Sequence, residues 1–236
     1  MKNPWEEIKK GEYVLKQDKE RINLFNQKVL KVSPEHEIQT QLIPDPFFGN
    51  KSAKVVLLML NPGFGSNEEK NYKQNDFEKI LLNNLIHKNS EKHFFSLDER
   101  FKGTDAYDYW TPRVKELNQN EFSNDYLSEN IFCINLFPYH SKKYRKLPGD
   151  LLESQKYALH LLNEKIENND SLIISMRSYT PWAKAYQDEY KRSFDELVKE
   201  RKILRVNSYG NPTLSYNNLL QPDGFNGFEK LVTKLK

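Results

Sequence analysis

At 236 residues the chain is long enough to bury a substantial core. Its 36 Lys+Arg against 33 Asp+Glu leave a formal net charge of +3, so a nucleic-acid surface has to come from local clustering rather than overall basicity. The one cysteine, Cys133, excludes an intramolecular disulfide and a four-cysteine iron–sulfur cluster, and no stretch approaches membrane-span length.

In chain order, residues 5–31 carry Ile8, Val14, Leu15, Ile22, Phe25, Val29 and Leu30 among many charges, the spacing of one or two amphipathic helices. Ser33-Pro34 ends them, and residues 1–50 are expected to form a helical extension packed on one domain that spans the whole chain. Pro44-Asp45-Pro46-Phe47-Phe48-Gly49-Asn50 is predicted to be a rigid loop whose aromatics are either lid or core. Val55-Val56-Leu57-Leu58-Met59-Leu60 is six apolar residues bounded by turn formers, a buried strand. It runs into Asn61-Pro62-Gly63-Phe64-Gly65. Asn61 therefore stands at the carboxyl end of a strand, where open α/β sheets place ligands; the alternative is that it caps a turn.

Asp76 is a helix start for Phe77, Ile80, Leu81, Leu85 and Ile86, and a further helix covers residues 109–117. Residues 130–139 form a second buried strand, interrupted by Asn135 near its end. A buried amide must be hydrogen-bonded, so Asn135 satisfies backbone groups or awaits a ligand. Lys142, Lys143, Arg145 and Lys146 follow within one loop, either a solvated run or a phosphate contact. Asp150 to Glu153 resembles a capping box opening a helix, residues 171–176 a third buried strand, and Thr180-Pro181 a helix start. Arg177 follows the third strand, as a phosphate or base contact or as a salt-bridged structural residue. The strand at 202–207 opens into Ser208-Tyr209-Gly210-Asn211-Pro212-Thr213-Leu214-Ser215, and Phe228, Leu231, Val232 and Leu235 have the spacing of a terminal helix. Alternating strands and helices predict an α/β fold with a mostly parallel sheet covered on both faces.

Asn61-Pro62-Gly63 after one strand, Asn135 near the end of a later strand ahead of Pro138, and Asn211-Pro212-Thr213-Leu214-Ser215 after the last resemble the signature segments of the uracil-DNA glycosylase superfamily. The first is similar to the Gly-Ile-Asn-Pro-Gly or Gly-Met-Asn-Pro-Gly segment of its mismatch-specific and single-strand-selective branches, with Met59 in the place of Gly. The third is similar to an Asn-Pro-Ser-Gly-Leu-Ser loop, one residue shorter, and to a His-Pro-Ser-Pro-Leu-Ser loop with Asn211 in the place of His. The likeness covers residues 50–236 and implies a three-layer αβα sandwich with a four-stranded central sheet.

It also implies site roles. Asn61, an amide and no base, orients the attacking water, and Asn211 donates to the leaving base. Asn135 reads the base beside Gly63 and one of Phe64, Tyr72 or Phe77, the last with a competing core role. Leu214 is a wedge entering the vacated stack, Thr213 and Ser215 contact phosphate, and Lys142, Lys143, Arg145 and Arg177 extend the DNA surface. His140 either replaces the missing loop histidine or is a surface residue. The five histidines show no metal-ligand spacing, and no phosphate-binding Gly-x-x-x-x-Gly-Lys motif occurs.

The expected function is a monofunctional DNA glycosylase that extrudes and hydrolytically removes a damaged or modified pyrimidine, without cofactor or metal. The expected protein is a cytosolic monomer with DNA as partner and no membrane contact. Met59 and Asn211 depart from the pattern for plain uracil and direct attention to bulky bases, including a defence role against phage DNA with hypermodified cytosine as well as repair. The alternative is a non-catalytic DNA-binding or base-sensing module that kept the fold.

Overall fold

The computed structural model describes residues 1–65, 77–88 and 94–236; the predicted helix start Asp76 and the candidate Tyr72 lie outside the described residues. Five strands, β1 (Phe47–Gly49), β2 (Val55–Met59), β3 (Ile131–Asn135), β4 (Leu172–Ser175) and β5 (Ile203–Arg205), form one sheet in the order β1-β3-β2-β4-β5. Every residue of β2, β3 and β4 is buried, which requires cover on both faces and explains their unbroken apolar sequences. Helices supply that cover among the described residues: α1 (Lys16–Val32), α2 (Phe77–Leu85), α3 (Asp105–Gln119), α4 (Asn124–Asn130), α5 (Glu153–Asn168), α6 (Tyr179–Tyr190), α7 (Phe194–Lys199), α8 (Tyr216–Leu219) and α9 (Gly227–Leu235). None is long and apolar enough to cross a membrane.

The sheet is mostly parallel, as expected, but it has five strands rather than four. β2 pairs in parallel with β3 and with β4, placing Met59 beside Asn135 and Leu58 beside Ser175, and β4 pairs in parallel with β5. The addition is β1, which lies in the segment predicted to be a loop and runs antiparallel to β3 with Phe47 opposite Ile134. Three residues are too few for a period-two pattern, so only packing reveals the strand. Phe47 and Phe48 are core, with Phe47 stacked on His87 at 4.0 Å between ring centroids. Gly49 ends β1 at φ +100°, and a Cβ there would run into the Ile131 carbonyl oxygen.

Helix starts differ from local pattern where distant groups intervene. α3 begins four residues before Tyr109, capped by the Thr104 hydroxyl. α6 begins at Tyr179 after Ser178 in the left-handed region, so Pro181 falls inside the first turn rather than at its first position. The Asp150 cap is corrected: α5 starts at Glu153, whose amide donates to the Asp18 carboxylate of α1 at 2.9 Å. Asp18 is fully buried and also accepts from the Tyr139 hydroxyl at 2.8 Å, while Tyr139 accepts from the Leu15 amide at 3.3 Å. One carboxylate thus ties α1, α5 and the segment leaving β3. Asp18→Ala should orphan a buried hydroxyl and a helix-start amide and cost about 2 to 4 kcal/mol in urea unfolding. A loss below about 0.5 kcal/mol, the scale of an ordinary surface change, would show that the carboxylate is not the tie.

Candidate functional site

The parallel strands β2, β3 and β4 end along one edge of the sheet. Because β1 is antiparallel, its amino end reaches the same edge. Asp45, Asn135, Asn61 and Arg177, each at or just beyond a strand end, therefore follow the strand order β1-β3-β2-β4, and all four line one cavity of about 610 Å³. Loop backbone anchors this edge. Leu136 and Phe137 donate to the Met59 and Leu60 carbonyls at 3.2 and 2.7 Å, Arg177 to the Leu58 carbonyl at 3.3 Å, and the Trp182 indole to the Met59 carbonyl at 2.7 Å.

Asn61 is half-buried, and its Nδ2 donates to the Pro62 carbonyl at 2.8 Å and to the Ser141 hydroxyl at 3.2 Å. Both amide hydrogens are committed to the protein. The acceptor Oδ1 makes no hydrogen bond among the described residues and is open to a water or ligand donor. Asn135 is 3% exposed and fixed twice, its Nδ2 donating to the Asp45 carbonyl at 2.7 Å and its backbone N–H to the Pro46 carbonyl at 2.9 Å. Its Oδ1 makes no hydrogen bond among the described residues. The amide nitrogen thus satisfies backbone, and the residue is also part of the cavity lining.

His140 is buried, neither a surface residue of the basic loop nor free for a ligand. Its Nδ1 lies 2.7 Å from the Gly63 carbonyl oxygen and its Nε2 3.0 Å from that of Ile43, so the ring bridges the loop after β2 to the segment before β1. Asp45 lies beside it, a carboxylate oxygen 3.6 Å from Nε2, with its side chain 15% exposed. Burial pushes the Asp45 carboxyl up to about 7.

Aromatic residues surround these polar groups. Phe64 and Gly63 line the cavity, whereas Phe77 is core against Phe95 and Phe101. Phe48, expected as lid or core, also lines it, as do Tyr109 and Trp110, which sequence reasoning missed. The Tyr109 hydroxyl is buried without a partner among the described residues, and the Arg113 guanidinium lies 3.3 Å from the Tyr109 ring centroid. Lys142, Lys143 and Arg177 are exposed at the cavity rim. Lys143 approaches Glu35 at 3.8 Å, and Arg177 has no salt bridge among the described residues. Arg145 is exposed but outside the lining. No cluster among the described residues has the make-up of a metal site.

The last loop is not part of this cavity. Asn211 is exposed outside the lining, its amide donating to the Ser208 hydroxyl at 3.4 Å. Leu214 as an exposed wedge is corrected: it is 0% exposed and its amide donates to the Arg113 carbonyl of α3 at 2.8 Å. Thr213 and Ser215 are half-buried, their hydroxyls 2.9 Å apart, and with Leu214 they line a second hollow against Arg113 and Glu116.

Two stability measurements check this geometry. Leu214→Ala should cost about 2 to 5 kcal/mol, as for a buried leucine; a neutral effect would return the side chain to the surface. For Asp45, the unfolded chain releases its proton near pH 4 while the folded state keeps it to about pH 7, so stability is highest below that window and falls as pH rises through it. Asp45→Asn removes this titration. The Tm difference, variant minus wild type, should grow from pH 4 to a plateau above pH 7; a difference independent of pH would show that the carboxyl does not carry the burial penalty.

Comparison with protein-family models, with curated proteins and with solved structures finds no match to this chain.

Proposed function

We propose that the chain is a monofunctional DNA glycosylase that receives an extruded pyrimidine in the cavity at the carboxyl edge of the sheet and cleaves its N-glycosidic bond with water. The observation that carries this reading is the convergence of two strand-end amides, Asn61 and Asn135, on one aromatic-lined cavity rimmed by Lys142, Lys143 and Arg177. A flipped nucleotide needs that combination: a polar edge for the base, π surfaces for its faces and cations for its phosphates.

Asn61, its Nδ2 committed, offers Oδ1 to a water beside the sugar. The water needs orientation more than deprotonation, because bond breaking develops positive charge on the sugar before the nucleophile adds. The cavity volume of about 610 Å³ exceeds what an unsubstituted pyrimidine fills and supports a base carrying a substituent. Helices that cover both faces of the sheet, none of those among the described residues long and apolar enough to cross a membrane, accord with this reading. The exposed position of Asn211 outside the lining favours a second reading, a base-sensing module without catalysis.

Incubation with DNAs containing uracil, hypoxanthine or hydroxymethylcytosine, and with glucosylated phage DNA, scored for alkali-labile abasic sites, separates the two. The glycosylase produces such sites on at least one substrate, and a binder shifts DNA without producing any. On the productive substrate, Asn61→Ala should lower the single-turnover rate by roughly 100-fold or more, the scale of one preorganised polar group, with Tm retained. A wild-type rate would remove Asn61 from the mechanism.

A further inference from the structure

Asp45 has no part in the reaction as described so far, yet it holds the outermost place on the catalytic edge. It precedes β1 and follows Asn135 in the order of strand ends, on the side away from Asn61 and Arg177. If phosphate meets Arg177, sugar and water meet Asn61, and the base meets Asn135, then Asp45 faces the far edge of the base. No hydrogen bond reaches its carboxylate among the described residues. His140 Nε2, at 3.6 Å, is beyond hydrogen-bond distance and lies nearer the Ile43 carbonyl oxygen, at 3.0 Å. A largely buried carboxyl group with His140 as its titratable neighbour but no hydrogen-bond donor among the described residues, opening into a cavity of polar and aromatic groups, is a site that a ligand donor or acceptor can complete.

Resting on the glycosylase reading, we propose that Asp45 is the general acid of this site, protonating the ring nitrogen N3 of a departing 4-aminopyrimidine, and that the substrate is a base of the cytosine class rather than the uracil class. The argument is one of charge. A uracil-type base leaves with its negative charge spread over two carbonyl groups and needs no proton, and a carboxyl group at its edge would set a second negative charge beside it once ionised. A cytosine-type base has one carbonyl fewer to hold the charge and departs readily only when it takes up a proton. A carboxyl group offers the matching edge, its O–H to N3 and its carbonyl oxygen to the 4-amino hydrogen.

The step balances. The C1′–N1 bond breaks with its electron pair going to N1, while the Asp45 proton passes to N3, so the base leaves neutral. The water held at Asn61 forms the C1′–O bond and gives its proton to solvent, and Asp45 regains a proton from solvent. The burial that raises the Asp45 carboxyl to about 7 keeps a working fraction of acid at neutral pH. The groups that bear on this titration are His140 at 3.6 Å, the Cys133 thiol of β3, Lys142 and Lys143 on the loop after β3, Arg177 after β4 and Asp105 of α3, all but Cys133 lining the same cavity.

The test is single-turnover base release from single- and double-stranded oligonucleotides carrying matched pairs: cytosine and uracil, 5-methylcytosine and thymine, 5-hydroxymethylcytosine and 5-hydroxymethyluracil. In the productive pair the 4-amino member should be released at least about 100-fold faster, with a rate that falls about tenfold per pH unit above pH 7. Asp45→Asn should lose about 100-fold or more on that base with Tm unchanged or raised, and Asp45→Glu, which keeps an acid, should recover part of the loss. Preference for the 4-oxo member of a pair, or a wild-type rate for a folded Asp45→Asn, overturns the role of Asp45 and leaves the glycosylase standing. Absence of abasic sites from every DNA overturns the glycosylase itself, and the acid with it.

Discussion

The candidate site depends on backbone carbonyl groups that have left the sheet ladder and must find donors. Asn135 supplies two, to Asp45 and Pro46, and His140 stands against two more, those of Ile43 and Gly63. Together they join the chain before β1, the end of β3 and the loop after β2. Carbonyl oxygens only accept, so the uncharged imidazole satisfies one of its two neighbours and the imidazolium both. Removing the Asn135 side chain would leave the Asp45 carbonyl unpaired, and removing the imidazole would leave unpaired the carbonyl to which it donates, at a cost of about 1 to 3 kcal/mol each. The same contacts that stabilise this corner also fix the positions of Asp45 and Asn61. Stability and site geometry are therefore one problem here.

This arrangement explains why a short antiparallel strand matters to an otherwise parallel sheet. Parallel strands all point their carboxyl ends the same way, so residues delivered to that edge come from the loops that follow them. β1 brings a residue from the loop that precedes it. Asp45 thus arrives between two prolines, with its amide held by the Pro138 carbonyl at 2.9 Å. The neighbouring strand end already carries Asn135, and the edge acquires a carboxyl group beside an amide.

Legibility in the sequence followed the range of the interactions. β2, β3 and β4 were readable because strands covered on both faces show unbroken apolar runs, and Asn61 and Asn135 stood out as polar residues at their ends. β1 was not readable, since Phe47-Phe48-Gly49 has no period and its flanking prolines are those of a turn. Asp45 was overlooked with it. The start of α5 was misplaced because its cap comes from Asp18, 135 residues away, rather than from the adjacent Asp150. The wedge role of Leu214 came from the family resemblance alone, and only the proximity of α3 shows that the loop folds inward. Tyr109 and Trp110 sit on a helix expected over residues 109–117, and nothing local marks that their rings border a cavity.

Gly49 links backbone and chemistry across a short span. Its positive φ and its contact with the Ile131 carbonyl admit no side chain without moving β1 against β3. Because side chains alternate along a strand, even a one-residue slip there would turn Phe47 and Phe48 to opposite faces and carry Asp45 away from the end of β3. A residue with no functional group of its own thus decides where a carboxyl group four positions earlier in the chain can stand.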